Sequence, residues 1–371
     1  MKFAFIFSGS PDPLINNRIE MVNGQYDTYF IYLNRTNEVN FEVIHQDINN
    51  IEIPVKGNYK DPIRRLLPTV RFALKAIKKI REIKPEVVYA ANIDMLFITR
   101  LALLGKIKNT TIIYEVADLH RLIVDKPHGF SESMVHNILI FLERRLCRKI
   151  GLLVLTSEKF YDVYFHKFVP KGKVLFIPNM PKLSAYSGYK HKSGGKFTVG
   201  FIGLVRYKQQ MKMLLNVATI CNINILFAGA ALDDEIQELC ENEPYVEYYG
   251  KYDYDAEIST LYGKLDCVYS VYDADLNNVK VALPNKLYEA IYCGLPIIVA
   301  KGTYLAELVE EMGVGVTVSH TDENELADAL NKLSQDKNYY QSIVKNCEIH
   351  RCEIKTSYYN DILLNRIMGL R

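Results

Sequence analysis

Tryptophan is absent from the 371-residue chain, and so are several patterns that would fix a function at once. No apolar run approaches the ~18 residues needed to cross a bilayer. The opening run at residues 3–7 is too short for a secretory leader and reads as a buried strand. A net charge of +2 argues against a general nucleic-acid binder. The seven cysteines are odd in number and include no C-x-x-C pair, which points to reduced thiols in a cytosolic protein, most of them core residues. G-x-G-x-x-G is missing, so a dinucleotide fingerprint is excluded. His45, His128, His136, His166, His191, His320 and His350 show no metal-ligand spacing, and no nucleophile elbow is present. The 26 tyrosines, including the pairs Tyr248-Tyr249 and Tyr339-Tyr340, read as packing residues.

What is present is an ordinary soluble composition, 49% hydrophobic and 24% charged, in a length that suits two domains of about 150–200 residues. The charge is unevenly divided. Residues 1–185 hold 27 Lys/Arg against 18 Asp/Glu, and the remainder holds 18 against 25, so a +9 half precedes a −7 half. In the first half, apolar strand runs (2–7, 28–33, 41–48, 86–90, 111–116, 152–155, 174–177) alternate with helical patterns (16–23, 66–83, 95–104, 134–149). This predicts an α/β domain with a parallel sheet covered on both faces. Residues 182–196, rich in Ser and Gly, interrupt the pattern as a linker, and the alternation resumes from residue 197. The expected division is 1–185, a linker at 186–196, and 197–355, with a last helix at 356–371.

Doubly wound sheets bind ligands beyond the carboxyl ends of their strands, so residues just after strands carry the information. Gly203 ends one strand, and Arg206 and Lys208 follow before a helix, an arrangement suited to a diphosphate. Residues 284–298 place Pro284 at a helix start, Gly294 at its stop and an apolar strand beyond. Within that helix Glu289 has the chemistry to accept from ribose hydroxyls, and Asn285 and Lys286 to meet phosphate or sugar oxygens.

The run NKLYEAIYCGLPIIV, residues 285–299, resembles the donor-site signature of GT-B glycosyltransferases of the family 4-like group 1, which build bacterial surface polysaccharides. GFIGLVRYK resembles that group's phosphate loop, and KPEVVYAANIDMLFITRLA, IIYEVADLH, VLTSEKF and VLFIPNMP resemble its N-terminal strands and loops. The resemblance implies a GT-B fold of two Rossmann-like domains, with the last helix crossing back to the first. It implies transfer of a sugar, with retention and without a metal or other cofactor, from a UDP-sugar (GDP-sugar as the second choice). The acceptor is lipid-linked or an oligosaccharide in capsule, O-antigen or exopolysaccharide synthesis. Gly203, Arg206, Lys208, Asn285, Lys286, Leu287 and Glu289 would hold the donor. Ser8, Gly9, Ser10, Asn92 and Asp94 would line the acceptor side, and Asp118 and His120 are the candidate catalytic pair.

The chain also departs from the pattern. Val281 stands where the first carboxylate of Glu-x7-Glu belongs, and Ala117-Asp118 stands in place of His-Asp. Two rival readings stay open, a UDP-sugar 2-epimerase-like enzyme on a similar fold and an inactive glycosyltransferase-like partner subunit. Asp273-Ala274-Asp275 mimics the metal-binding D-x-D of GT-A enzymes, but doubled Rossmann-like halves favour a plain charged loop. Finally, residues 60–84 form a basic amphipathic segment. Arg64, Arg65, Arg71, Lys75, Lys78 and Lys79 are suited to an anionic membrane, which predicts a cytoplasmic protein with peripheral membrane contact. Arg144, Arg145, Arg148 and Lys149 would extend the patch.

Overall fold

The strand runs condense into two all-parallel sheets. The structure, a computed structural model, describes residues 1–9, 11–34, 47–55, 66–105, 109–192, 194–231, 234–241, 243–354 and 356–370. The chain divides into two units, Met1–Asn179 with Ser357–Arg371, and Met180–Thr356.

The first unit holds β1 (Lys2–Phe7), β2 (Asp27–Asn34), β3 (Asn49–Pro54), β4 (Val87–Ala91), β5 (Thr111–Val116), β6 (Leu152–Leu155) and β7 (Val174–Phe176). Their order is β3-β2-β1-β4-β5-β6-β7. All of β4 and β6 is buried, which is why these strands are apolar throughout rather than alternating. The strand predicted at 41–48 falls mostly outside the described residues. The sheet edge is instead β3, where only Ile53 is buried. An edge strand with little to bury carries little apolar signal, so it was missed. The first helix, Pro13–Val22, starts before the predicted position 16. Asp12 caps it by accepting from the Ile15 amide at 2.8 Å, and Pro13 presets the first turn. The helix Thr356–Met368 brings Leu363, Leu364 and Ile367 into one core cluster with Phe3, Phe5, Ile15 and Phe30.

The second unit holds β8 (Thr198–Ile202), β9 (Asn224–Ala228), β10 (Val246–Gly250), β11 (Cys267–Ser270), β12 (Ile297–Ala300) and β13 (Gly315–Val318), in the order β10-β9-β8-β11-β12-β13. The order in which strands are added reverses between β8 and β11, as it does between β1 and β4 in the first sheet. The described residues of the Ser/Gly-rich stretch 182–196 pack within this unit. Tyr186 is 2% exposed, with its ring 5.7 Å from Tyr262 and 5.6 Å from Tyr292. Tyr189 donates to the Cys293 carbonyl at 2.8 Å, and Lys192 pairs with Asp266 at 2.6 Å. Two aromatic anchors outweigh the flexible composition around them. Cys147, Cys221, Cys267, Cys293 and Cys347 are buried free thiols.

A candidate diphosphate site after β8 and β11

Gly203 follows β8 with φ +133°, a conformation that disfavours any side chain. Its amide donates to the Ala228 carbonyl at 2.7 Å. Gly229, after β9, shares that φ, and a Cβ there would lie 2.0 Å from the Gly203 carbonyl oxygen. The two strand ends therefore touch backbone to backbone. A Cβ on Gly203 would lie 2.9 Å from Lys286 Nζ, so the ammonium rests directly over this glycine.

Lys286 opens the helix Lys286–Cys293 and is 7% exposed. Its Nζ donates to the Tyr272 hydroxyl at 3.0 Å and stands 4.7 Å from the centre of the Phe201 ring. Among the described residues no carboxylate pairs with it. A nearly buried cation held by a phenol and an aromatic face still lacks a counter-charge. Tyr272 follows β11 and packs tilted against Tyr207, ring centres 4.9 Å apart, and the Arg206 guanidinium lies 5.0 Å from the Tyr207 ring. Neither the helix Lys208–Ile220 nor the helix Lys286–Cys293 has a side-chain cap, and the positive end of a helix dipole favours an anion.

The other predicted donor residues divide. Arg206 is exposed beside the loop, whereas Lys208 is ion-paired with Glu235. Leu287 is fully buried, and its amide donates to the Pro284 carbonyl at 3.3 Å. Glu289 is 2% exposed and already accepts three hydrogen bonds, from Tyr262 at 2.5 Å, Tyr254 at 2.9 Å and Asn285 Nδ2 at 3.0 Å. Burial, followed by the Glu289 charge, pushes the Tyr254 and Tyr262 phenols well up. A ribose would reach Oε1 only by replacing Tyr254 or Asn285. Sequence reasoning missed Tyr272, Gly229, Tyr254 and Tyr262; for the first two, a position just past a strand end was the available signal.

The structure also gathers Asp273, Asp275 and His320. His320 Nε2 stands 3.6 Å from Asp273 Oδ1 and 3.6 Å from Asp275 Oδ2. The sequence treated the aspartates as a charged loop and the histidine as isolated, because β12 and β13 intervene between them.

In the first unit, Ser8 and Gly9 follow β1, Asn92 and Asp94 follow β4, and Asp118 and His120 follow β5, all at the carboxyl end of adjacent strands. Ser10 lies outside the described residues. Asn92 has φ +71°, and Asp94 accepts from the Met95 amide at 3.0 Å. Asp118 and His120 are exposed, and His120 Nδ1 accepts from the Leu122 amide at 3.3 Å. Partial burial and the nearby Arg121 charge lower the His120 pKa. Beneath these loops lies a buried pair that the sequence did not single out. Arg18 contacts Glu115 at 3.0 Å, both 2% exposed, and donates to the Ile177 carbonyl at 3.0 Å. Burial pushes the Asp12 carboxyl up to about 6.

Of the predicted membrane patch, Arg64 and Arg65 lie outside the described residues. The helix Leu66–Ile83 buries Phe72, Ala76 and Ile80, and exposes Leu67, Val70 and Leu74 beside Arg71, Lys75 and Lys78. Lys79 pairs with Glu82 at 2.9 Å. The helix Gly129–Cys147 presents a second apolar row, Phe130, Met134, Ile138 and Phe141, all exposed, followed by exposed Arg144 and Arg145.

Residues 196–336 match the family model "Glycosyl transferases group 1". The succinoglycan biosynthesis protein ExoL of Rhizobium meliloti is 25% identical over 266 residues, covering 68% of this chain and 64% of ExoL, so the match spans less than two thirds of that relative. Anabaena HepE, solved with UDP and glucose, superposes with a TM-score of 0.74 at 16% identity over the full length of both chains. WaaG, a glycosyltransferase involved in lipopolysaccharide biosynthesis, superposes with a TM-score of 0.71 at 12% identity, covering 97% of this chain and 99% of WaaG. At such identities the structural likeness establishes the fold. The chain thus has the GT-B fold, and its residues 196–336 match the model of the group 1 glycosyl transferases.

Proposed function

We propose that the chain is a retaining glycosyltransferase that takes a sugar from a nucleotide diphosphate donor, a UDP-sugar ahead of a GDP-sugar. It passes that sugar to a lipid-linked or oligosaccharide acceptor in capsule, O-antigen or exopolysaccharide synthesis. The observation that carries this reading is Lys286, a nearly buried ammonium over Gly203 with no carboxylate partner among the described residues. A diphosphate supplies the missing counter-charge, and its negative charge grows as the sugar leaves. Lys286 and the starts of the two helices are in place before that happens, so they need no reorganisation during the reaction, and Arg206 adds charge beside them. The group 1 domain, the UDP seen in HepE and the exopolysaccharide role in ExoL's name support the same reading.

Ser8, Gly9, Asn92 and Asp94 offer polar groups to an acceptor. Asp118 and His120 are the candidates for handling its proton, and the lowered pKa keeps the imidazole neutral and able to accept near neutral pH. The two apolar rows flanked by Arg and Lys suit docking on an anionic leaflet, where a lipid-linked acceptor resides.

Calorimetric titration of UDP and GDP tests the donor reading. UDP binding that weakens at least about tenfold in Lys286→Met is expected, since a charge-assisted contact contributes about 1.5–3 kcal/mol. Equal affinity in wild type and Lys286→Met would remove the site. Incubation with UDP-sugars alone separates the epimerase rival, because an epimeric product would displace the transferase reading.

A further inference from the structure

We propose that Asp273, Asp275 and His320 form a binding site for one divalent first-row cation beside the phosphate loop. Asp273 and Asp275 sit in the turn after β11, and His320 in the turn after β13. The three ligand atoms lie within 4.8 Å of one another. Two separations are 3.6 Å, from His320 Nε2 to Asp273 Oδ1 and to Asp275 Oδ2. That is too long for hydrogen bonds, which run to about 3.2 Å. It suits a shared metal, because ligands held about 2.1 Å from a tetrahedral ion stand about 3.4 Å apart.

The histidine makes this more than a pair of surface acids. Its Nε2 atom is buried and has no hydrogen-bond partner. Its side chain is 16% exposed, against 34% for Asp273 and 87% for Asp275, so an inner imidazole faces a partly buried carboxylate and an exposed one. Its backbone is held as well, since its carbonyl accepts from Gln210 Nε2 at 3.1 Å, and Gln210 is 2% exposed. Asp273 is fixed by the Asp275 amide, which donates to Oδ1 at 3.0 Å.

One imidazole and two carboxylates suit Mn2+ or Zn2+ better than Mg2+ or Ca2+, which prefer oxygen ligands alone. Three protein ligands leave coordination positions open. The neighbours indicate what fills them. Gln210 belongs to the helix that Lys208 opens, and Tyr272, next to Asp273, is the hydroxyl that holds Lys286. A diphosphate on that loop would offer oxygen ligands for those open positions. This last link rests on the glycosyltransferase reading; the cation site itself does not. It departs from the metal-free chemistry that the resemblance implies.

Chelator-treated full-length protein is titrated with Mn2+ and followed by electron paramagnetic resonance, with Zn2+ calorimetry in parallel and no nucleotide present. One ion per chain is expected, with affinity falling at least about tenfold in both His320→Ala and the isosteric Asp273→Asn. Thermal melting of the variants confirms that they fold. No ion bound at millimolar Mn2+ or Zn2+, or binding unchanged in both folded variants, overturns the proposal. UDP titration of the same metal-free samples tests the donor reading separately, because it depends on Lys286 rather than on these three residues.

Discussion

Lys286 Nζ lies 2.9 Å from the point where a side chain on Gly203 would begin. One position thus needs glycine for two reasons, its φ of +133° and the ammonium above it. Gly203→Ala is expected to cost about 1–3 kcal/mol from backbone strain alone and to push Lys286 aside. Urea denaturation would show the first effect, and loss of UDP affinity by calorimetry the second. Gly229→Ala should be worse, because its Cβ meets the Gly203 backbone rather than a mobile side-chain tip.

Glu289 ties Tyr254, Tyr262 and Asn285 together. Glu289→Ala strands two phenol hydroxyls, and each unsatisfied buried group costs about 1–3 kcal/mol. A clear drop in denaturation midpoint is expected, together with weaker UDP binding. Tyr254→Phe separates the two roles. It removes one donor from Oε1, costs about 1 kcal/mol and leaves UDP affinity at least as high. Unchanged UDP affinity in Glu289→Ala would make the carboxylate a packing group only.

Asp12 gives a signed pH prediction. Its carboxyl is pushed from 3.8 up to about 6, chiefly by burial. Below about pH 4 both folded and unfolded chains hold the proton, and the contribution to stability is complete. As pH rises towards 6 the unfolded chain releases the proton first, so stability falls, by about 3 kcal/mol at most. Asp12→Asn keeps a side-chain acceptor for the Ile15 amide and removes the titration. The wild-type-minus-variant difference in urea stability should therefore decline between pH 4 and 6 and be flat above.

Phe130 and Phe141 project from the helix Gly129–Cys147, with exposures of 86% and 63%. Burying a phenylalanine in an apolar phase yields about 1.5–3 kcal/mol. Phe130→Ser with Phe141→Ser should reduce co-sedimentation with phosphatidylglycerol vesicles at least about tenfold while leaving UDP affinity intact. Lys75→Glu with Lys78→Glu should have a smaller, salt-sensitive effect, at about 1 kcal/mol per cation. Equal sedimentation of wild type and both variants would remove the docking surface.

Much of the fold was legible because parallel strands buried on both faces have to be apolar throughout, as Val87–Ala91 and Leu152–Leu155 are. β3 was not, since an edge strand with one buried residue leaves no such trace. Of the candidate site, the helix bearing Lys286 and Glu289 was visible through its Pro and Gly punctuation. Its partners were not, because Tyr272, Gly229 and Tyr254 arrive from other strand ends and helices. Leu287 carries two sequence signals at once. It sits among ligand-type residues, yet it shares the buried side of the helix with Ala290 and Ile291, which the i, i+3, i+4 spacing already marks. His320 joins Asp273 and Asp275 only because β13 lies beside β12 in the sheet.

The return of the last helix reverses the order in which the chain is finished. Phe3, Phe5 and Ile15 are made before the second unit, yet the core they belong to needs Leu363, Leu364 and Ile367, which are made after it. Domains generally fold in order of synthesis. Here the second unit, Met180–Thr356, lies wholly between the two parts of the first and can close earlier. The first unit then completes its core only after residues 357–368 have been made, so it waits for the second unit with its apolar face open, and a chain truncated before residue 357 carries that open face permanently.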